Sequence, residues 1–149
     1  MACLATIREL RSDDWSDWKR LWTDYLTFYE SSVSSEVYET TFARLLGSDS
    51  HDFSCFVADV DGKIVGLTHY LFHRHCWKVE NTCYLQDLYA DPAVRGAGVG
   101  RALIEAVYAA ADAAGAPAVY WMTQDFNATA RKLYDRVGTL TPFVKYARP

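Results

Sequence analysis

The segment from Thr82 to Gly115 joins a strand pattern to a helix pattern through a glycine-rich loop. Strand-type residues fill "TCYLQDLYA", and the dipeptide Asp91-Pro92 ends the strand. From Gly98 the apolar residues recur at helical spacing until Gly115 ends the helix. A strand followed by a helix in this way indicates a fold of the α/β class, in which helices cover a sheet.

Two helices and a hairpin are predicted before this segment. The strand "LATIREL" precedes an aromatic-rich helix that begins after Ser12 or Asp13, and a second helix is predicted over Ser35–Leu46. "FSCFVADV" and "KIVGLTHYLFHR" flank Asp61-Gly62, a dipeptide that favours a tight type I′ turn. These two runs are therefore expected to pair as antiparallel strands.

Three further elements are predicted after the helix that follows the loop. They are a strand "AVYWMT", a helix capped by Asn127 and ended by Gly138, and a last strand "TPFVKYA". The complete order predicts an α/β (α+β) fold with a mixed, mostly antiparallel central sheet flanked by helices. One domain over residues 1–149 is expected, because a chain of this length buries roughly two thirds of its unfolded surface.

Charge and composition narrow the class of partner. The net charge of −4 argues against nucleic acid, whose binding requires Lys and Arg to neutralise phosphates, and suits a cationic small molecule. The start "MACLATIREL" lacks a signal-peptide pattern, and no apolar run reaches the ~18 residues that a membrane span needs. Four cysteines without a C-x-x-C pair, namely Cys3, Cys55, Cys76 and Cys83, indicate reduced thiols. We therefore expect a cytoplasmic protein.

The glycine-rich loop is suited to an anion. It lies between a strand and a helix, where free backbone N–H groups and the helix dipole favour negative charge. Gly96, Gly98 and Gly100 let a ligand approach the main chain closely. The loop lacks the third glycine of the dinucleotide fingerprint, and the chain contains no G-x-x-x-x-G-K-[ST] motif, which argues against nicotinamide cofactors and nucleoside triphosphates. For the glycines alone, a simple connecting turn is an equal alternative.

Two motifs together resemble those of the GNAT superfamily of N-acetyltransferases. Arg95-x-x-Gly98-x-Gly100 is similar to the Arg/Gln-x-x-Gly-x-Gly/Ala motif of that family. "NATARKLYDRVG" resembles its Asn-x-x-Ala-x-x-x-Tyr segment, with a glycine after it. The resemblance is clearest from Tyr84 to Gly138, and its finer similarity is to the spermidine/spermine-type diamine acetyltransferases and their microbial relatives. It implies acetyl-CoA as co-substrate, splayed central strands and a homodimer.

The resemblance also implies where acetyl-CoA binds. The pyrophosphate is expected on the loop and the pantetheine arm between the splayed strands, with the thioester near Leu88 and Tyr89. The simpler interpretation of Asn127, as a helix N-cap, is compatible with this role. The expected coenzyme-binding residues are Leu88, Tyr89, Ala90, Arg95, Gly96, Ala97, Gly98, Val99, Gly100, Arg101, Asn127 and Ala130.

The expected catalytic residues are Tyr134, Gln86 and Asp87. The resemblance implies that Tyr134 is the acid that protonates the leaving thiolate, and we place this role above that of a core tyrosine, which its position among apolar helix residues also fits. In the diamine branch the position of Gln86 is often a glutamate that holds a water, and glutamine cannot accept a proton. Asp87 is expected to bind the substrate ammonium or, equally, to bond to the backbone. Its expected companions at the acceptor are Tyr29 and Glu30, with Glu36 a weaker candidate.

Two other groups of residues have simpler roles than a metal site or a binding pocket. "FHRHCW" contains His73 and His75 near Cys76 and Cys83, but zinc sites normally show paired ligands at shorter, regular spacing. No metal is therefore expected, and one of these histidines is a possible base. The aromatic stripe of the first helix is interpreted as core first and as pocket wall second.

Three functions are consistent with these observations. The first is an N-acetyltransferase that moves the acetyl group from acetyl-CoA to a primary amine, which is a small amine, a polyamine or a lysine-type side chain. The second is an acyl-CoA-binding, catalytically degenerate domain with a regulatory or binding role, which the glutamine at position 86 suggests. The third, an interaction module, leaves the loop and Tyr134 unexplained.

Overall fold

A computed structural model describes residues 4–149, so Cys3 lies outside the described residues. The strands and helices are β1 (Thr6–Glu9), α1 (Trp15–Phe28), α2 (Ser35–Leu46), β2 (Ser54–Val60), β3 (Lys63–His73), β4 (Thr82–Ala90), α3 (Val99–Ala113), β5 (Val119–Tyr120) and α4 (Ala128–Val137). Short 3-10 turns lie at Ser12–Asp14 and Pro92–Val94. Both predicted helices before the hairpin are present, and α2 has the predicted bounds.

The strands form one five-stranded sheet in the order β1-β2-β3-β4-β5. The first three pairings are antiparallel and the pairing of β4 with β5 is parallel. Asp61 and Gly62 both have positive φ, 51° and 87°, as a type I′ turn requires, and Gly62 is the residue type that adopts this backbone at no steric cost. The predicted hairpin and the mixed, mostly antiparallel sheet are confirmed.

The parallel pair β4-β5 separates soon after it begins. Within the described residues the two strands pair at Cys83 with Val119 and at Tyr84 with Tyr120. β4 then continues to Ala90 alongside β3, without a β5 partner. A V-shaped gap therefore opens beside residues 85–90, and the predicted splay of the central strands is confirmed.

A β-bulge lies where this gap opens. His69 and Tyr70 are consecutive on β3 but pair with Asp87 and Leu85, so Gln86 is the extra residue of β4. A bulge breaks the strict alternation of side chains along a strand and aims them in new directions. It also explains why Gln86 is exposed while Leu85 and Asp87 on either side are buried.

Helices cover both faces of the sheet and place the core on either side of it. On one face, Trp18, Leu21 and Trp22 of α1 are buried against sheet residues such as Leu67. Trp18 and Trp22 of the aromatic stripe are thus core, as the first interpretation of the stripe predicted, whereas Tyr25 and Tyr29 are half-buried. On the other face α3 buries Leu103, Ile104 and Val107. No helix of residues 4–149 has both the length and the apolar character to cross a membrane.

The prediction of a last strand at "TPFVKYA" is wrong. Residues 139–149 form neither helix nor strand in the structure. They carry four strongly exposed apolar side chains, Leu140, Phe143, Val144 and Tyr146, with exposed fractions of 73% to 92%. The strand "AVYWMT" is likewise reduced to Val119–Tyr120. A strand pattern reports side-chain type alone, whereas a strand also needs a neighbouring backbone to pair with.

Candidate active site

The glycine-rich loop adopts a backbone that only glycine takes readily. Gly96 and Gly98 have φ of 85° and 82°, in the left-handed region. The loop leaves β4 through a 3-10 turn in which the Asp91 carboxylate accepts a hydrogen bond from the Ala93 N–H at 3.0 Å. Gly98 is the N-cap of α3, so the loop delivers its backbone directly to a helix N-terminus.

The same loop presents unpaired N–H groups. The first intrahelical bond of α3 runs from the Ala102 N–H to the Gly98 carbonyl at 3.0 Å. The N–H groups of residues 99–101 therefore have no helical acceptor and point out of the helix end. A Cβ built on Gly96 would meet nothing within 4 Å, so the space in front of the loop is open. This geometry fits a phosphate group.

The two arginines of the loop are held in different ways. The Arg95 guanidinium lies over the ring of Tyr89, 5.9 Å from its centroid, which keeps it at the end of β4. Arg101 forms an exposed ion pair with Glu105 at 2.8 Å. Arg95 is therefore the arginine that borders both the loop and the gap.

Backbone groups of β4 face the gap. The Asp91 N–H donates to the Val65 carbonyl at 2.8 Å, so the backbone groups of residue 91 point toward β3. Because backbone groups alternate in direction along a strand, Tyr89 faces β3 while Leu88 and Ala90 face away from it. The N–H groups at 88 and 90 are thus the donors aimed into the gap.

Helix α4 borders the loop. The Asn127 carboxamide accepts a hydrogen bond from the Ala130 N–H at 3.4 Å, so its interpretation as an N-cap is confirmed, and its contact with the coenzyme stays a prediction. A Cβ built on Gly100 would lie 3.2 Å from Leu133 Cδ2. The absence of a side chain at position 100 therefore lets α4 approach the start of α3.

Tyr134 has features of both of its interpretations. Its half-buried ring packs edge-on against Trp121 at 5.6 Å, as a core residue would. Its hydroxyl has no hydrogen-bond partner among residues 4–149. Burial, with a smaller contribution from the Tyr29 hydroxyl, raises the pKa of Tyr134 to about 12. The hydroxyl is therefore protonated at neutral pH and free to donate.

The residues predicted to meet the acceptor lie at the end of α1. Tyr29 directly follows α1, and its ring packs edge-on against Tyr25 at 5.1 Å. Glu30 is exposed and has φ of 55°, a left-handed conformation that is uncommon outside glycine. The Tyr29 hydroxyl contributes to the raised pKa of Tyr134. Their contact with a substrate stays a prediction.

Asp87 is buried in a network of side chains. One carboxylate oxygen accepts a hydrogen bond from the Tyr25 hydroxyl at 2.9 Å, and the other bonds to His69 Nδ1 at 3.0 Å. Trp18 Nε1 in turn donates to His69 Nε2 at 3.0 Å. The carboxylate thus bonds to side chains and not to the backbone, which corrects the second interpretation of Asp87. Of its partners Tyr25 and His69, only Tyr25 is partly exposed.

Sequence reasoning missed the partners of Asp87. Trp18 and Tyr25 fit the helical core spacing, which carries no signal for the hydrogen bonds of their polar atoms. His69 is one of several residues in a buried strand, and no local motif distinguishes it. The histidines that the sequence did single out have other bonds: His73 Nε2 contacts the Tyr120 hydroxyl at 2.8 Å. No cluster suited to a metal ion occurs in the described part of the chain.

The sequence of this chain is similar to those of known acetyltransferases. The model of the acetyltransferase (GNAT) family matches residues 7–139. The D-amino-acid N-acetyltransferase HPA3 of Saccharomyces cerevisiae is 38% identical over 143 residues, which cover 95% of this chain and 89% of the yeast protein. The thialysine N-epsilon-acetyltransferase of Mus musculus is 28% identical over 140 residues, 89% of this chain and 82% of the mouse protein.

A solved structure with the same fold is the aminoglycoside N-acetyltransferase AAC(6')-Iy in complex with CoA. Its TM-score is 0.84 at 18% identity, with 100% of this chain and 97% of that chain covered. At this identity the likeness concerns the fold. The splayed sheet and the loop-helix unit are therefore features of a known architecture.

Proposed function

The chain belongs to the acetyltransferase (GNAT) family and is an acetyl-CoA-dependent N-acetyltransferase; we propose that it acetylates a primary amine by direct attack in a ternary complex. The observation that carries this proposal is the V-shaped gap beside Leu88 and Ala90, which the glycine-rich loop borders at one end. The loop supports binding of a pyrophosphate, and the free edge of β4 supports binding of an extended arm along it.

The acceptor that we propose is a small amine, a polyamine or a lysine-type amine. The relatives that are similar to this chain are named for D-amino acids and thialysine, which are compounds with amino groups. The net charge of −4 and the exposed Glu30 favour a cation. An amine of an amino acid is therefore the first acceptor to test.

The residues around the gap supply two of the functions that the reaction needs. Bound acetyl-CoA supplies a thioester carbonyl that an amine can attack. The N–H groups of Leu88 and Ala90 are fixed dipoles that favour negative charge on the carbonyl oxygen. The Tyr134 hydroxyl holds a proton at the gap, where the leaving thiolate needs one. A third function, removal of the proton from the ammonium, is not met by Gln86, and we assign it to solvent.

A catalytically degenerate, acyl-CoA-binding domain is the second candidate, and Gln86 is the observation that favours it. Glutamine at the bulge of β4 is exposed at the gap but cannot act as a base. Tyr134 favours the enzyme, because a free hydroxyl at this position has no role in binding alone. The two candidates differ in whether CoA is released when an amine is added.

An amine panel with acetyl-CoA tests the proposal. We expect release of free CoA thiol with lysine-type amines, polyamines or D- and L-amino acids, and little release with neutral or anionic acceptors of the same size. The matched pair is an amine and the corresponding alcohol, which have nearly the same size and differ in charge and in the attacking atom. Thermal stabilisation by acetyl-CoA without thiol release from any amine would favour the degenerate domain.

We propose further that the protein is a homodimer in the cytoplasm, in which residues 139–149 of one copy pack on the other. Four apolar side chains of this segment are at least 73% exposed, and its sequence has the pattern of a strand. Exposed apolar area of this kind marks an interaction site. β5, with Tyr120 and the exposed Phe126 beyond it, is an edge strand that a second copy can extend.

Substitution in this segment is expected to shift the protein to monomers. In light scattering the wild type should have twice the chain mass of 16.9 kDa, and the double variant Phe143→Asp, Tyr146→Asp should have the mass of one chain. The control is Lys63→Asp, which changes charge at the start of β3, far along the chain. A monomeric wild type, or a dimeric double variant, would reject this arrangement.

A further inference from the structure

The hydrogen bonds around Asp87 have a direction that the chemistry of Trp18 determines. An indole N–H can donate a hydrogen bond but cannot accept one. Trp18 Nε1 donates to His69 Nε2 at 3.0 Å, so this nitrogen carries no proton. The neutral imidazole of His69 therefore carries its proton on Nδ1, the nitrogen that faces Asp87.

The two donors that face Asp87 indicate that its carboxyl group is ionised. Its Oδ2 accepts a hydrogen bond from His69 Nδ1–H at 3.0 Å, and its Oδ1 accepts one from the Tyr25 hydroxyl at 2.9 Å. A carboxyl group that only accepts at both oxygens is a carboxylate. Asp87 is 9% exposed and His69 3% exposed, so a negative charge is held inside the protein by two donors. A buried charge is costly unless it is paired and hydrogen-bonded, as Asp87 is.

Of the two donors to Asp87, His69 is buried and Tyr25 is only half-buried, so Tyr25 is the one that a ligand can reach. The single proton of the Tyr25 hydroxyl is directed at Asp87, so the oxygen offers only lone pairs in other directions. Burial raises the pKa of Tyr25 well above its ordinary value, with further contributions from Asp87, Tyr29 and Tyr134, so the proton stays in place.

Ring contacts place Tyr25 beside β4 and beside the residue that follows α1. Its ring packs edge-on against Tyr89 of β4 at 6.0 Å and against Tyr29 at 5.1 Å. Tyr89 follows Leu88, whose N–H faces the gap. The Tyr25 oxygen is thus an acceptor with fixed polarity beside the point where an amine must approach.

We propose that Tyr25 is a further catalytic residue, whose oxygen accepts a hydrogen bond from the N–H of the acceptor amine. Asp87, His69 and Trp18 are positioning residues that hold this oxygen as an acceptor. The inference rests on the proposed function and adds a specificity element to it. As the amine nitrogen bonds to the acetyl carbon it becomes more positive, so its hydrogen bond to an oxygen backed by a carboxylate becomes stronger. No proton moves along the chain, because each donor keeps its own.

Tyr25→Phe tests this role, since it removes the oxygen and keeps the ring that packs on Trp22 and Tyr29. We expect kcat/KM for the amine to fall roughly 10–100-fold, the loss typical of one hydrogen bond to a charged group. The Kd of acetyl-CoA should change less than twofold. The matched control is Tyr38→Phe, which removes a hydroxyl that bonds to Thr23 at 2.7 Å on the outer side of α1. It should leave kcat/KM unchanged.

Two measurements test the roles of Tyr25 and His69 without depending on turnover. The first is the ¹⁵N spectrum of the His69 ring in the wild type, which should show a protonated Nδ1 and an unprotonated Nε2. The second is calorimetry of an amine added to the CoA complex, which should bind at least fivefold more weakly to Tyr25→Phe.

The outcomes distinguish this inference from the proposed function. A wild type that acetylates no amine would reject the proposed function, while the spectrum and the calorimetry still test Tyr25. A folded Tyr25→Phe variant with kcat/KM and amine affinity within twofold of the wild type would overturn the role of Tyr25. A proton on His69 Nε2 would overturn the positioning chain whatever the turnover.

Discussion

Replacing Tyr134 with phenylalanine is expected to lower the turnover number about 10²-fold. The substitution keeps the ring that packs on Trp121 and removes the hydroxyl that we propose protonates the leaving thiolate. A positioned proton donor contributes roughly 10²–10⁴-fold. The lower end applies because a thiol of pKa about 8.5 leaves fairly well without help. Turnover, the Kd of acetyl-CoA and the melting temperature are to be measured for wild type and variant, and Kd should be nearly unchanged.

A matched control for this experiment is Tyr108→Phe. Tyr108 also packs on Trp121, with ring centroids 6.2 Å apart, but its hydroxyl donates to the Val137 carbonyl at 2.7 Å. Its loss should lower the melting temperature and leave turnover intact. If Tyr134→Phe behaves like Tyr108→Phe, Tyr134 is a packing residue and takes no part in the reaction.

The pH dependence of turnover provides a second check on Tyr134. Burial raises its pKa to about 12, so the hydroxyl stays protonated from neutral pH to about pH 11. Below pH 10 we therefore expect turnover of the wild type and of Tyr134→Phe to depend on pH in the same way. A descending limb near pH 8 that the substitution abolishes would contradict this assignment.

Replacing Gly98 with valine is expected to weaken acetyl-CoA binding on the order of 10²-fold. At φ of 82° an L side chain is strained, and a branched one more so, so the loop must change its backbone. The N–H groups of residues 99–101 are positioned by this backbone and would lose their common direction. Calorimetry measures the Kd, and the rise in melting temperature with acetyl-CoA follows by mass action.

Gly115→Val is the control that separates backbone strain from loss of the site. Gly115 has φ of 69°, in the same left-handed region as Gly98, and a Cβ there would meet nothing within 4 Å. It follows the C-terminal end of α3, whereas the loop precedes the N-terminal end of that helix. Both variants should therefore lose stability, and only Gly98→Val should lose coenzyme affinity. Normal acetyl-CoA binding by Gly98→Val would show that the loop is a connector.

The selectivity of the protein for acetyl-CoA can be tested by comparing it with NAD and ATP. NAD and ATP should not raise the melting temperature of the wild type, because the dinucleotide and nucleoside triphosphate motifs are missing from the chain. Stabilisation by either ligand equal to that by acetyl-CoA would mean that the loop binds phosphate without regard to the rest of the coenzyme.

Local patterns predicted the elements that border the site. Periods of two and of about 3.6 residues indicated β2, β3, β4 and the helices, and capping residues such as Asn127 and Gly98 indicated where helices begin. The glycine spacing of the loop indicated an anion site before any contact was known. These features depend on residues that lie close to one another along the chain, so the sequence alone is enough to predict them.

Such patterns could not predict the bulge at Gln86 or the hydrogen bonds of Asp87. Trp18 and His69 are 51 residues apart, and Tyr25 and Asp87 are 62 apart. Their contacts depend on the register of β3 against β4 and on how α1 crosses both strands. A shift of one residue in that register moves each side chain to the other face, and single-sequence periodicity does not encode the register.

The sequence by itself determined the class of fold, the order of its elements as far as α4, the glycine-rich loop and the family resemblance, because each depends on residues close together along the chain. The tertiary structure decided which polar atoms meet. It bonded the buried Asp87 carboxylate to Tyr25 and His69, and it left residues 139–149 exposed where a strand was predicted. The physical reason is that hydrogen-bond partners and strand neighbours are chosen by three-dimensional packing, in which distance along the chain has no part.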